Sequence, residues 1–245
     1  VPYVGVDVAG AAVGMDKDLS KRLLAQAGIP VVPWMTVGHT SWIARPERIM
    51  QNALKQLGLP VFVKPLCTGS SVGVVKVTQK SELPQALDYA FQFDTRIMIE
   101  QGIDCREIEC AVLGNDEPVA SVLGEILPRH DFYSYEAKYL DPEGAEMNIP
   151  AKLPARLAGA IRACAVAGYS ALNCNAMARV DFFLEKATNR FYLNEINTLP
   201  GFTSVSMYPK LWEATGLPYS QLLDRLIELA LERHRRKLAV RTDVP

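Results

Sequence analysis

The sequence predicts an α+β protein on two kinds of observation. Apolar residues recur at helical spacing in several stretches, and β-rich segments come in neighbouring pairs. "REIECAVLG" and "PVASVLGEI" flank the turn "GNDE" as a hairpin, and "AMARVDFFL" and "NRFYLNEI" are joined across Lys186 to Asn189. At 245 residues, 49% apolar and 22% charged, the chain can bury a sizeable core, as one large domain or two smaller ones.

From Asp16 to Gly28, Leu19, Leu23, Leu24 and Ala27 follow a helical period, and Gly28 is placed to end the helix. A strand, "VVPWMTV", comes next. Pro46 opens a second helix to about Leu57, with Ile49, Ala53 and Leu54 inside; Gly58 and Pro60 break it before the strand "VFVK". "TGSSVG" (68–73) links that strand to "VVKV", Ser81 starts a third helix, and "RIMIEQ" (96–101) closes this first unit. After the hairpin, the stretch 128–150 has no clear period, which suits either a functional lid or a surface loop. A helix from about Leu153 to Tyr169 precedes the second strand pair. The chain ends in a long amphipathic helix from Tyr219, with Leu222, Leu223, Leu226, Ile227, Leu229 and Ala230 expected to face inward.

The net charge of -1 argues against a nucleic-acid partner held by bulk basicity. The one basic run, "ERHRRK", closes a helix, where cations favour the dipole. Five cysteines, Cys67, Cys105, Cys110, Cys164 and Cys174, show no two-residue spacing, so reduced core thiols and a cytoplasmic location are expected. No apolar run approaches the ~20 residues of a membrane span, and "VPYVGVDVAG" lacks the regions of a signal peptide. It also lacks an initiating Met, which suits a chain that begins inside a larger architecture.

The chemistry begins at "YLNEINTLPGF". Strand alternation places Glu195 and Asn197 on one face, while Leu193 and Ile196 do not share a single buried face with them. Arg179 and Asp181 also share a face. If the two strands pair, Asp181, Glu195 and Asn197 converge as hard oxygen donors that suit Mg²⁺ better than zinc or copper; charged residues on a solvated sheet face are the alternative. "TGSSVG" offers backbone N–H groups and the hydroxyls of Ser70 and Ser71 to an anion, or is simply a hairpin turn; it matches neither the dinucleotide fingerprint nor a Walker loop. Lys64 ends an apolar strand and Lys17 opens the first helix, each equally acceptable as a surface lysine. Together these are the parts for transferring a phosphoryl group from ATP.

The whole pattern resembles the ATP-grasp superfamily, and within it the D-alanine-D-alanine ligases. The resemblance runs through "MDKDLSKRLL", "LPVFVKP", "GSSVGVVKV", "IEQGIDCREIECAVLGN", "DFYSYEAKYLD" and "MARVDFF" to "NEINTLPGFTSVSMYP". It implies a smaller lobe over residues 17–105, a larger one over 106–245, ATP between their sheets, and residues 1–16 as the linker from an amino-terminal domain. By position, it assigns Lys17, Lys64, Ser70 and Ser71 to phosphates, Glu100, Gln101 and Ile103 to adenine, and Glu107 to ribose. Asp181, Glu195 and Asn197 would hold two Mg²⁺ ions, for which Mn²⁺ can substitute. Arg179 and the Gly201 N–H would stabilise an oxyanion, Ser206 and Met207 would border the second D-alanine, and Lys138 and Tyr139 would lie on a closing loop, with Tyr139 bonded to Ser70.

The implied reaction joins two D-alanines through a D-alanyl phosphate for peptidoglycan synthesis, in a complete enzyme that is a homodimer without nucleic-acid or membrane partners. "SYEAKY" favours this over a D-alanine-D-lactate ligase. A nucleotide-binding fragment is the further alternative, since in this family an amino-terminal domain precedes "PYVG" and contacts the first D-alanine's ammonium. Asn173 and Ala176 stand where the family usually has glycines, and "PLCTGSSVG" is unusual before the phosphate loop.

Overall fold

The structure is a computed structural model that describes residues 1–128 and 145–241. Two antiparallel sheets organise it. The smaller has the order β1-β4-β2-β3, from β1 (Trp34–Gly38), β2 (Val61–Pro65), β3 (Val75–Val77) and β4 (Arg96–Gln101). The larger has the order β7-β6-β5-β8-β9, from β5 (Cys105–Gly114), β6 (Val119–Pro128), β7 (Ala145–Asn148), β8 (Ala176–Glu185) and β9 (Phe191–Asn197). Helices α4 (Pro46–Leu57) and α5 (Leu83–Ala90) cover the smaller sheet, where Ala53, Leu57, Val63, Leu87 and Ile99 form one core. The larger sheet is covered on one face by α6 (Ala155–Ala171), through Ile161, Ala165 and Tyr169. Part of its other face carries α7 (Met207–Thr215) and α8 (Tyr219–Ala239), through Tyr208, Trp212 and Leu226. The α+β expectation and both strand pairs are therefore present.

Local chemistry sets the element ends. Asp16 caps α2 (Lys17–Gln26) by accepting from the Asp18 and Leu19 amides at 2.9 and 3.0 Å. Pro46 opens α4, and Gly58, at φ +69°, ends it. Residues 80–82 form a 3-10 turn ahead of α5, so the third helix proper starts at Leu83, two residues after Ser81.

Several elements and facings differ from the sequence expectation. Within the segment expected to be a linker, Val8–Met15 form α1, a helix too rich in small residues to show a period. A Cβ on its Gly10 would sit 2.8 Å from the Asn173 carbonyl oxygen, so the small residue permits close packing. His39–Ala44 form the short α3, and β7 lies inside the stretch expected to be irregular. Of the four apolar residues at helical spacing, Leu19, Leu23, Leu24 and Ala27, only Leu24 is buried; Asp18, Ser20 and Lys21 are buried on α2 as well. Leu24 and Ile29 join the core of the larger sheet. On α8, Leu223 and Ile227 face solvent, whereas Leu222, Leu226, Leu229 and Ala230 are buried.

The "ERHRRK" run is occupied within the chain: Arg233 donates to the Tyr3 and Gly5 carbonyls, Arg236 pairs with Glu232 and Asp116, and Lys237 pairs with Asp7. All five cysteines are free, but only Cys110 and Cys174 are buried; Cys67 is exposed, so the expectation of core thiols fails there. Among the described residues no helix is long and apolar enough to cross a membrane.

Asn173 and Ala176, for which the resemblance led to an expectation of glycine, adopt φ of +54° and +62°, in the region that favours glycine. For the alanine this costs about 1–2 kcal/mol.

A bulge resolves the facing of β9. Asp181 pairs with Glu195, but the next residue, Phe182, pairs with Leu193, leaving Asn194 as one extra residue. The bulge turns Leu193 and Ile196 into the same core and leaves Glu195 and Asn197 on the other face. Leu193→Ala is therefore expected to lower the unfolding free energy by about 2–5 kcal/mol in urea denaturation. A loss under about 0.5 kcal/mol, the scale of an exposed substitution, would contradict this register.

Candidate functional site

Between the two sheets lies a cavity of about 750 Å³, within the range of small-molecule sites. The smaller sheet contributes Phe62, Lys64 and Glu100; the larger contributes Glu107, Phe183 and Glu195. Lys17, Ser70, Ser71, Gln101 and Ile103 also line it, so nine of the residues expected from sequence share one wall system. They come together because β2 and β4 pair with Phe62 opposite Glu100 and Lys64 opposite Met98, which puts Lys64 and Glu100 on one face.

Glu100 is almost fully buried and bonded to two cations. Its Oε1 lies 2.5 Å from Lys21 Nζ, and its Oε2 pairs with Lys64 Nζ. Burial raises the Glu100 pKa, but Lys21 and Lys64 overcome this and hold it at about 2. The expected adenine contact at Glu100 was largely through its backbone, and its side chain is committed to the lysines. Lys17 donates to the carbonyls of Leu66 and Thr68, and burial lowers its pKa.

"TGSSVG" connects the paired strands β2 and β3, so the hairpin alternative is literally correct, and the same turn lines the cavity. Ser70 and Ser71 both lie in the left-handed region, at φ +54° and +60°. Such strain in non-glycine residues persists only where the surroundings enforce it. Here the Val72 amide donates to the Gly69 carbonyl at 3.1 Å, and the Val74 amide donates to the Ser71 carbonyl at 3.2 Å.

On the larger sheet Glu109, Asp181 and Glu195 are successive cross-strand partners, and Arg179 lies opposite Asn197. Arg179 donates to both Asp181 oxygens at 2.8 and 2.7 Å and approaches Glu109 at 3.0 Å. Burial opposes its charge, yet Asp181 and Glu109 keep its pKa well above the ordinary arginine value. Asn197 Oδ1 accepts from the Leu199 amide at 3.1 Å. Among the described residues no three His, Cys, Asp or Glu side chains cluster as a metal site. The expected set brings only two carboxylates and an amide, all oxygen donors. That fits a hard divalent cation whose other ligands are water and phosphate, the habit of Mg²⁺.

Gly201, Ser206 and Met207 follow β9 and do not line the cavity, and neither do Arg179, Asp181 and Asn197. A Cβ on Gly201 would lie 2.7 Å from Ser206 Oγ, so a larger residue there would displace that hydroxyl. Ser206 Oγ accepts from the Thr203 amide at 3.0 Å. Met207 is core, packed with Tyr208 and Trp212, so a ligand contact there is left to its main chain. Lys138 and Tyr139 lie outside the described residues, and with them the expected bond from Tyr139 to Ser70.

The motifs do not single out Lys21, Phe62, Phe183, Glu109 or Asn194. Alternation carried a signal for two of them, since Phe62 is two residues from Lys64 and Phe183 two from Asp181; both rings lie 5.7 Å from Lys64 Nζ. Nothing in the sequence marks Lys21 as buried. Burial pushes the thiol of Cys105, which lines the cavity, up to about 12, so it is no nucleophile at neutral pH.

Residues 23–228 match the family described as "D-ala D-ala ligase C-terminus". The chain is 51% identical over 242 residues to D-alanine--D-alanine ligase A of Salmonella typhimurium and to that of Escherichia coli, covering 99% of this chain and 65% of each relative. Among solved structures, the D-alanine-D-alanine ligase from Coxiella burnetii superposes with a TM-score of 0.85 at 41% identity, over 97% of this chain and 62% of that one. VanG D-Ala:D-Ser ligase from Enterococcus faecalis gives 0.84 at 38% identity, over 94% and 65%. The chain thus spans about 65% of the length of the curated relatives.

The Glu100 cluster makes a pH prediction. Its folded pKa of about 2 lies below the ordinary 4.5, so its stabilisation is complete above 4.5 and is lost as the pH falls towards 2. The stability difference between wild type and Glu100→Gln, read from urea midpoints, is expected to shrink over that window. A difference that stays constant or widens on acidification would contradict the assignment.

Proposed function

Because the chain belongs to the D-alanine-D-alanine ligase family and has its ATP-grasp fold, we propose that it carries the nucleotide site of an enzyme that joins two D-alanines at the expense of ATP. The observation that supports this best is the cavity, with Lys17, Lys64 and the Ser70–Ser71 turn on one side and Glu195, opposite Asp181, on the other. Phosphates with a divalent cation complement both sides at once. Phe62 and Phe183 offer flat apolar faces to the base, the main chain at Gln101 and Ile103 offers its edge polar partners, and Glu107 takes the ribose hydroxyls. The lobes divide at residues 105 and 106.

In the proposed reaction the carboxylate of the first D-alanine attacks the γ-phosphorus of ATP. The bond to the ADP oxygen breaks, and D-alanyl phosphate forms. The amine of the second D-alanine then attacks the acyl carbon, loses a proton and expels phosphate. Asp181, Glu195 and Asn197 would hold two Mg²⁺ ions, with Mn²⁺ an acceptable substitute, which supply charge neutralisation to the phosphates. Lys17 and Lys64 hold phosphate oxygens. Arg179, fixed by Asp181 and Glu109, and the Gly201 amide stabilise the tetrahedral oxyanion. Ser206 and the Met207 main chain border the second substrate. Lys138 and Tyr139, outside the described residues, would take the role of excluding water, with Tyr139 bonding Ser70. The physiological setting of this proposal is peptidoglycan precursor synthesis in the cytoplasm by a longer, dimeric protein.

Glu195→Gln is expected to weaken Mg²⁺-dependent ADP binding at least about tenfold in calorimetry, as loss of one charged ligand implies, while the circular dichroism and the melting temperature stay near wild type. Unchanged Mg²⁺-dependent affinity in a folded variant would remove Glu195 from the metal set.

A further inference from the structure

Lys21 is buried, with its side chain 3% exposed. Its ammonium lies 2.5 Å from Glu100 Oε1, donates to the Val32 carbonyl at 3.2 Å and stands 5.4 Å from the Trp34 ring centre. Lys64, 12% exposed, holds the other oxygen of the same carboxylate and faces the cavity between Phe62 and Phe183. Two ammonium groups therefore share one carboxylate, leaving one net positive charge in a water-poor setting where charges act strongly.

We infer that Lys21 is a positioning residue: by neutralising Glu100 from α2, it leaves the charge of Lys64 available to a phosphate in the cavity. Without Lys21, Glu100 and Lys64 form a closed neutral pair, and Lys64 is held back from the ligand. With Lys21 in place, Glu100 still orients Lys64 without cancelling it. Burial lowers the Lys21 pKa, and Glu100 opposes that fall. The inference rests on the nucleotide reading of the cavity and adds a residue outside the phosphate-contacting set.

The test measures dissociation constants for ADP and for adenosine, in excess Mg²⁺, by calorimetry on the 245-residue chain. Wild type is expected to prefer ADP. In Lys21→Met that preference is expected to fall at least about tenfold, with adenosine affinity changed less than about threefold. In Lys21→Met/Glu100→Gln, where both the counter-ion and the charge it neutralises are gone, the preference is expected to return to within about threefold of wild type. A merely structural role for Lys21 would make the double variant as weak as the single one or weaker. An unchanged preference in Lys21→Met, or no recovery in the double variant, overturns the inference. If melting curves show Lys21→Met unfolded, the double variant decides alone: a retained preference supports the inference and a lost one overturns it. Absence of any ADP preference in wild type overturns the nucleotide reading itself.

Discussion

A carboxylate stays ionised inside a protein only where cations or hydrogen-bond donors offset its burial, and at Glu100 two lysines do so. Its two cationic partners come from different places, Lys21 from α2 and Lys64 from β2. Because α2 also sends Leu24 into the core of the larger sheet, the ion cluster joins an element packed on one sheet to the middle strands of the other. The same helix opens with Lys17, whose ammonium reaches the carbonyls of Leu66 and Thr68 beside the Ser70–Ser71 turn. One buried carboxylate thus places Lys21 and Lys64, while main-chain carbonyls place Lys17.

The larger sheet presents Glu195 to the cavity, while its neighbours Glu109, Asp181 and Arg179 lie on that sheet outside the cavity lining. Glu109, Asp181 and Glu195 would repel one another as successive cross-strand neighbours. Arg179, in contact with Asp181 and Glu109, offsets part of that repulsion. Glu195 remains on the cavity wall. A ligand carrying both phosphates and a divalent cation relieves the charge on both sheets, which neither an apolar molecule nor a free anion does.

The larger part of this arrangement was legible in the sequence. Alternation placed Asp181 with Arg179, and Glu195 with Asn197, on shared faces, and the strand pairs were announced by their short connections. The bulge was not legible, because the extra residue Asn194 has no composition signal; the awkward facing of Leu193 and Ile196 was its trace. The facing of α2 was not legible either. Periodicity counts apolar residues, and this helix buries Asp18 and Lys21 with their partners while exposing Leu19 and Leu23. Helix α1 escaped because its glycines and alanines carry a packing role without an amphipathic pattern.

The central claim is that the two charged walls together hold a nucleotide and its metal. Its most direct measurement is the anomalous diffraction of Mn²⁺ in crystals grown with ADP. The expected map places manganese against Asp181, Glu195 and Asn197, with the ADP phosphates between it and Lys17 and Lys64. A map with ADP in the cavity and manganese away from those three side chains, or with ADP bound elsewhere, would contradict the account.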